Sequence, residues 1–219
     1  ARVYLAYLIN ERVAPERECS LQNEVTYKVC LASQSLQSNL EGVAQRPLYF
    51  RSRLALAGSA FNLKLDEEAV RFFQQSLELV PNSWNIMNEL AHAYIEADKP
   101  EVALRTLEES LAMTGDAVLS TRALFLQGMA HRAMGNLQES VQSLEQGLEL
   151  TPLSERPWQT HQILVESYRT LGDYSKAVEN LDRIMSLGTA DADSYATVGK
   201  AFDEFGQPSR AIESYGRAI

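Results

Sequence analysis

The sequence repeats itself at a nearly constant interval, and this periodicity limits the possible folds more than any other feature. Five times, a small residue is followed four positions later by a large apolar one. The small residues, called the frame residues below, are Ala69, Ala103, Ser140, Ala177 and Ala211. The intervals between them are 34, 37, 37 and 34 residues. Because this spacing is typical of stacked helix pairs, the sequence predicts an all-α solenoid.

A short helix-breaking segment precedes each frame residue. Glycine suits the left-handed position after a helix, and proline suits the first turn of the next helix. Each unit is therefore predicted to be a helix, a tight turn and a second helix, and Pro81 and Pro152 follow two of the second helices. The five segments are Lys64-Leu65-Asp66, Asp98-Lys99-Pro100, Gly135-Asn136, Gly172-Asp173 and Gly206-Gln207-Pro208.

The frame residues and the helix-breaking segments together resemble the tetratricopeptide repeat (TPR) family. In that family the first helix carries an aromatic residue or Leu, then Leu-Gly, then Tyr. The second, fourth and fifth units match this pattern better than the other two, as Met87, Leu90-Ala91 and Tyr94, as His161, Leu164-Val165 and Tyr168, and as Tyr195, Val198-Gly199 and Phe202. The resemblance implies a right-handed superhelical α-solenoid of antiparallel helix pairs over residues 48–219. The implied repeats are approximately 50–83, 84–117, 118–154, 155–191 and an incomplete 192–219.

The two 37-residue intervals exceed the usual 34-residue unit by about one helical turn. Good N-cap residues stand at Asp116 and Ser154. We therefore expect the first helices of repeats three and four to begin there and to be about a turn longer. The alternative is a looser loop between repeats.

Residues 1–47 do not fit the repeat frame. Apolar residues spaced three and four apart from Leu21 to Val43 predict a helix, and Arg2 to Val13 predicts a shorter one. We expect this pair to form a cap or a degenerate repeat. A helix between Cys19 and Cys30 would separate them by roughly 15 Å, so two unbridged thiols are predicted. Because the chain starts at Ala1 and stops within an apparent helix at Ile219, we expect it to be part of a longer protein or a processed chain.

The composition and motifs exclude several function classes. The net charge of −9 argues against a nucleic-acid binder, and no apolar run is long enough to span a membrane. No phosphate-binding loop, metal-ligand motif or nucleophile motif occurs, which predicts a soluble protein that is not an enzyme and uses no cofactor or metal. His131 and His161 stand at core positions and are expected to be packed rings with one hydrogen bond each. The compartment stays open between the cytoplasm and a bacterial periplasm.

In the resembled family, the first helices line a concave groove that binds a partner. The groove positions of this sequence carry equal numbers of positive and negative residues, so the acidic excess is expected on the outer face. Arginine and amide groups suit an extended peptide with acidic residues, and Phe and Met suit an apolar anchor. The predicted partner-binding residues are Asn88, His92, Arg122, Phe125, Met129, Arg132, Gln162, Glu166 and Arg169. Leu54 and Gly58 occupy the places where chaperone-tail-binding relatives carry Lys and Asn, which argues against that ligand.

Two functions follow from this reasoning. The first is a non-catalytic protein–protein interaction scaffold that binds a polypeptide segment in the groove. The alternative is a TPR arm of a larger enzyme or of a bacterial envelope or polysaccharide-export machine, which docks or targets it. Self-association is a further expectation, because the last helix is predicted to expose Ile212, Tyr215 and Ile219.

Overall fold

The computed structural model describes residues 50–113, 117–152, 157–188 and 191–219, together with Ser35, Ser38 and Asn39. Within these residues the backbone forms ten α-helices and no β-strand. The helices are α1 Phe50–Asn62, α2 Asp66–Leu79, α3 Trp84–Glu96, α4 Pro100–Met113, α5 Ala117–Ala133, α6 Leu137–Leu150, α7 Trp158–Leu171, α8 Tyr174–Leu187, α9 Ala192–Glu204 and α10 Pro208–Arg217.

Consecutive helices pack as antiparallel pairs, α1 with α2 through α9 with α10. The chain divides into an N-terminal unit, residues 1–113, and a C-terminal unit, residues 114–219. In the N-terminal unit, α2 also packs on α3. In the C-terminal unit, α6 packs on α7 and α8 on α9. The predicted all-α fold of helix pairs is confirmed in the described part of the chain.

The turns inside the five pairs share one backbone geometry. A left-handed residue stands one or two positions after the first helix in every pair, with φ between 56° and 80°, at Lys64, Asp98, Gly135, Gly172 and Gly206. The next backbone N–H then bonds the carbonyl five residues back, for example from Asp173 to Tyr168 at 2.9 Å. This bond satisfies a carbonyl at the end of the first helix, as in a Schellman motif. The helix-breaking segments are therefore where the sequence predicts them.

The frame residues are buried between the paired helices. All five are at most 1% exposed. In the third repeat, the Ser140 hydroxyl donates a buried hydrogen bond of 2.7 Å to the Gly128 carbonyl. A Cβ atom added to Gly128 would lie only 2.5 Å from Cγ of Leu144, which is the large residue four positions after Ser140. Two small residues thus let α5 and α6 approach each other.

Hydrogen bonds join the second helix of one repeat to the first helix of the next. In the N-terminal unit, the Gln74 amide donates 2.8 Å to the Tyr94 hydroxyl. In the C-terminal unit, the equivalent contact is the Tyr168 hydroxyl donating to Glu145. Burial of the Tyr168 phenol and this hydrogen bond both raise its pKa above the ordinary range.

The expectation about longer first helices holds for one repeat and fails for the other. Helix α5 spans 17 residues and begins at Ala117, a turn longer than the 13 residues of α3. Helix α7 spans 14 residues and begins only at Trp158, so the prediction of a start just after Ser154 is wrong. Pro157 is extended there, with φ −73° and ψ 126°. Proline disfavours helical backbone in the residue before it, so a helix through this site is unfavourable.

The predicted helical pair at residues 1–47 lies outside the described residues except at three positions. Ser35, Ser38 and Asn39 are helical. The Asn39 amide donates 2.9 Å to the Ser59 hydroxyl and 3.2 Å to the Ala55 carbonyl on α1. Cys19, Cys30, Asp116 and Ser154 also lie outside. The thiol expectation and the capping of α5 by Asp116 stay predictions, whereas α7 begins too late for Ser154 to cap it.

Candidate functional site

The first helices of the C-terminal unit carry seven of the predicted partner-binding residues. On α5, the Arg122 and Arg132 side chains are exposed, whereas Phe125 and Met129 are half-buried. On α7, Gln162 and Glu166 are half-buried and Arg169 is exposed. The structure therefore leaves all seven side chains at least partly accessible.

Ion pairs link these helices from one repeat to the next. Arg132 pairs with Glu166, and Nη1 of Arg169 lies 3.1 Å from Oε2 of Glu204 on α9. The four side chains are between 40% and 57% exposed, so solvent screens each pair and its net contribution is about 0–1 kcal/mol. Two of the three predicted groove arginines in this unit are thus already bound to a carboxylate of the following repeat.

A concave cavity lies between α7 and α9. Its volume is about 260 Å³, and Val165, Val198, Leu181 and Ile184 form an apolar floor. Its polar lining comes from Gln162, Glu166, Arg169, Thr197, Lys200 and Glu204. Three predicted residues are therefore brought together here. The residues predicted from the sequence do not include Thr197, Lys200 or Glu204.

Phe125 occupies a different environment from the one the groove assignment implies. A Cβ atom added to Gly147 would lie 2.6 Å from Cε1 of the Phe125 ring, so this ring covers the glycine of its own second helix. The half-buried ring also packs against the hydrophobic core of the C-terminal unit. Only its outer part is available to a partner.

The N-terminal unit holds the other two predicted residues, and the assignment of Asn88 requires correction. Asn88 is fully buried, and its Oδ1 accepts a 2.8 Å hydrogen bond from the Ser110 hydroxyl on α4. Its side chain faces the paired helix, where Ser110 is small enough to leave room for it. Gly147 leaves room for Phe125 in the same way in the next repeat. Asn88 therefore does not reach an accessible surface in this structure.

His92 lies in a cluster between α1 and α3. Its half-buried ring contacts Phe61 with a centroid separation of 4.7 Å, and Nε2 is 4.0 Å from Oε1 of Glu96. Glu96 also accepts a hydrogen bond from Lys64, which raises the pKa of that lysine. The cluster links two repeats as Arg132 and Glu166 do in the C-terminal unit.

A model of the tetratricopeptide repeat family matches residues 88–155. These residues therefore contain tetratricopeptide repeats. It is also 32% identical over 111 residues to a TPR repeat-containing protein of Methanocaldococcus jannaschii, a match that covers 51% of this chain. The matched region spans only 33% of that relative's length.

Solved TPR-like structures show the same fold at low sequence identity. PilW, a widely conserved type IV pilus biogenesis factor, superimposes with a TM-score of 0.70 at 19% identity, over 88% of this chain and 91% of PilW. A tetratricopeptide repeat protein from Parabacteroides merdae gives a TM-score of 0.68 at 16% identity, over 98% of this chain and 82% of the other. At these identities the likeness concerns the fold alone.

The two histidines that the sequence places at core positions differ in their burial and in their hydrogen bonding. His161 is buried, and its Nδ1 lies 2.8 Å from Oδ1 of Asn180, in agreement with the predicted packed ring and hydrogen bond. His131 is only half-buried, and its Nδ1 has no hydrogen-bond partner among the described residues. His161 finds a partner because Asn180 lies on the second helix of the same repeat.

The described helices carry neither a membrane span nor a metal site. None of them has the length and apolarity needed to cross a bilayer. Within the same residues, no three His, Cys, Asp or Glu side chains are grouped so that they could hold a metal ion. The cavity between α7 and α9 has a mainly apolar lining with polar groups around it, which makes it the candidate binding site in the described residues.

Proposed function

We propose that this TPR array is a non-catalytic interaction module that holds a polypeptide segment along the first helices of its C-terminal unit. The cavity between α7 and α9 carries the proposal, because it combines an apolar floor with a polar lining. Buried apolar anchors supply most of the binding energy in such interfaces, and polar groups at the edge set orientation. Arg122, Phe125, Met129 and Arg132 extend the same face along α5.

The ion pairs on this face favour a partner with acidic residues. A carboxylate of the partner could replace Glu166 or Glu204 beside Arg132 or Arg169 at low cost, because an exposed pair contributes little to stability. Arginine binds a carboxylate through two parallel hydrogen bonds, so the exchange also orients the partner. His92 lies in the N-terminal unit and is a separate candidate contact, whereas buried Asn88 is left out.

The test compares two double variants with the same net charge. Arg122→Glu with Arg169→Glu changes the proposed face, whereas Arg105→Glu with Arg183→Glu changes exposed arginines on second helices. Peptides are selected on the unmodified protein from a random 12-residue display library and titrated against both variants. We expect the first variant to lose binding at least tenfold and the second to retain it.

Circular dichroism provides the folding control for both variants. Helical content should stay the same, and the loss of the Arg169–Glu204 pair should cost less than about 1 kcal/mol. Equal binding by the two variants would contradict the placement of the site. A selection that yields no binding peptide would contradict the proposed function itself.

The alternative is a TPR arm of a larger enzyme or bacterial envelope machine. It is supported by the relative from Methanocaldococcus jannaschii, because the match with this chain covers only 33% of that longer protein. The complete coding sequence separates the two: a catalytic or export domain joined to the repeats supports the arm.

Self-association is a separate possibility at the last helix. Ile212 is 72% exposed, whereas Tyr215 is half-buried against Gly199, contrary to the expectation that it is exposed. Sedimentation of the protein and of Ile212→Glu over a hundredfold concentration range tests it. A monomer throughout would contradict self-association.

A further inference from the structure

We infer that the cavity between α7 and α9 binds an apolar side chain of the partner that stands next to a side-chain carboxylate, and that Lys200 binds this carboxylate. The inference rests on the proposed function, and it names the chemistry that one part of the bound polypeptide must have.

The floor of the cavity sets the first requirement. Val165, Leu181, Ile184 and Val198 are each at most 6% exposed, and together they present a fixed apolar surface. An apolar cavity of roughly 150 Å³ can already hold a benzene ring. The 260 Å³ found here therefore suits one large side chain such as Leu, Met or Phe.

The charges around the cavity set the second requirement. Arg169 is paired with Glu204, and Glu166 is paired with Arg132. Lys200 is exposed on α9 and forms no ion pair with any described residue. Because Glu166 is neutralised by Arg132 from outside the lining, Lys200 is the lining cation left without an ion-pair partner among the described residues, and it can attract an anion next to the apolar floor.

A side-chain carboxylate fits this lysine better than other anions do. An exposed ammonium on a flexible stem is a point charge that adapts to one carboxylate, whereas tight capture of a chain terminus needs several fixed donors. The chain's charge of −9 disfavours a polyanion such as nucleic acid. An Asp or Glu beside the apolar anchor is the occupant that satisfies both requirements.

The experiment uses the full 219-residue chain with labelled Ile, Leu and Val methyl groups and follows their NMR shifts. The probe is acetyl-Gly-Ser-Leu-Glu-Ser-Gly-amide, added up to about 10 mM because a short peptide binds weakly. We expect it to shift the methyl signals of Val165, Ile184 and Val198. The analogues with Leu-Gln or Ala-Glu at the centre should bind roughly fivefold more weakly.

Variants link the effect to Lys200. Lys200→Gln should bind the Leu-Glu and Leu-Gln peptides equally, whereas Arg183→Gln, an exposed cation on α8 outside the cavity lining, should bind as the unmodified protein does. Ala201→Leu should fill the cavity and weaken both peptides, with its helical content checked by circular dichroism.

Several results would overturn the inference: no methyl shifts at the cavity, equal binding of the Leu-Glu and Leu-Gln peptides, or no effect of Lys200→Gln. A free C-terminal Leu peptide that binds better than the blocked one would overturn the side-chain assignment. If display-selected peptides still depend on Arg122 and Arg169, the proposed function stands while this inference fails.

Discussion

The close approach of α5 and α6 makes Gly128→Ala the most informative single substitution in the core. Gly128 lies in the interior of a helix, where alanine is intrinsically the better residue by about 1 kcal/mol. The surrounding structure opposes this preference, because the new methyl group would meet Leu144 at 2.5 Å and the Ser140 carbonyl oxygen at 3.2 Å. The sign of the stability change therefore reports whether the helix contact is rigid.

The expected magnitude follows from three terms. Nonpolar carbons normally approach to roughly 3.5–4 Å, so the helices must separate or Leu144 must change its rotamer, and such overpacking costs about 1–3 kcal/mol. Separation also weakens the buried hydrogen bond from Ser140 to Gly128, a loss of about 1 kcal/mol. The higher helix propensity of alanine offsets about 1 kcal/mol of this loss. We expect a net destabilisation of about 2 kcal/mol.

Urea unfolding followed at 222 nm measures this change, and amide hydrogen exchange in α5 and α6 locates it, because repeat arrays can unfold in parts. Gly58→Ala is the matched control. Nothing lies within 4 Å of a Cβ atom there, so this variant should gain about 0.5–1 kcal/mol.

The second repeat shows an arrangement that would make this prediction wrong. It carries Ala91 and Leu107, both fully buried, at the positions equivalent to Gly128 and Leu144. If the third repeat relaxes to that arrangement, Gly128→Ala will be as stable as the unmodified protein and the reasoning fails. In a double-mutant cycle, Gly128→Ala with Leu144→Ala should cost at least about 1 kcal/mol less than the sum of the single changes.

Three further predictions concern turns and titrating groups. Asp98→Gly should stabilise the protein in urea by about 1 kcal/mol, because φ is 57° at this residue. The raised pKa of Tyr168 implies a contribution to stability that is complete below pH ~10 and lost as pH rises through the folded-state pKa, so Tyr168→Phe should flatten the fall in stability above pH ~10. Hydrogen bonds from Ser194 lower the pKa of Asp191, so the contribution of this carboxylate to stability is present above pH ~4 and lost on further acidification. In thermal melts, the stability advantage of the unmodified protein over Asp191→Asn should therefore be smaller at pH ~3 than at neutral pH.

The sequence predicts the helices and turns well because each depends on local chemistry. Gly135, Gly172 and Gly206 mark turns whose backbone is left-handed, and Lys64 and Asp98 stand at the same place in the other repeats. The frame residues are buried because two helix backbones meet there, which only small side chains permit. These features recur in every repeat, so one pattern locates them all.

Side chains at the border between two helix faces could not be assigned in the same way. Asn88 and Phe125 occupy the same position in successive repeats, yet one is fully buried and the other is half-buried. The difference depends on the residue opposite, Ser110 or Gly147, and on the distance between the paired helices. The position of a residue along its own helix gives neither the residue opposite nor the distance between the helices. The start of α7 was missed for a related reason, since Pro157 outweighs a good N-cap at Ser154.

The pairing of charges between repeats also lay beyond the sequence reasoning, and it changes how the candidate site should recognise a partner. Five positive and five negative groove residues indicate neutrality, but they do not indicate that Arg132 and Arg169 contact carboxylates one repeat further on. With those charges paired, long-range attraction to an acidic partner is small, and Lys200 adds a single contact. We therefore expect the affinity of selected peptides to fall only slightly with added salt, by the equivalent of about one ion pair, and to depend mainly on the apolar side chain that enters the cavity.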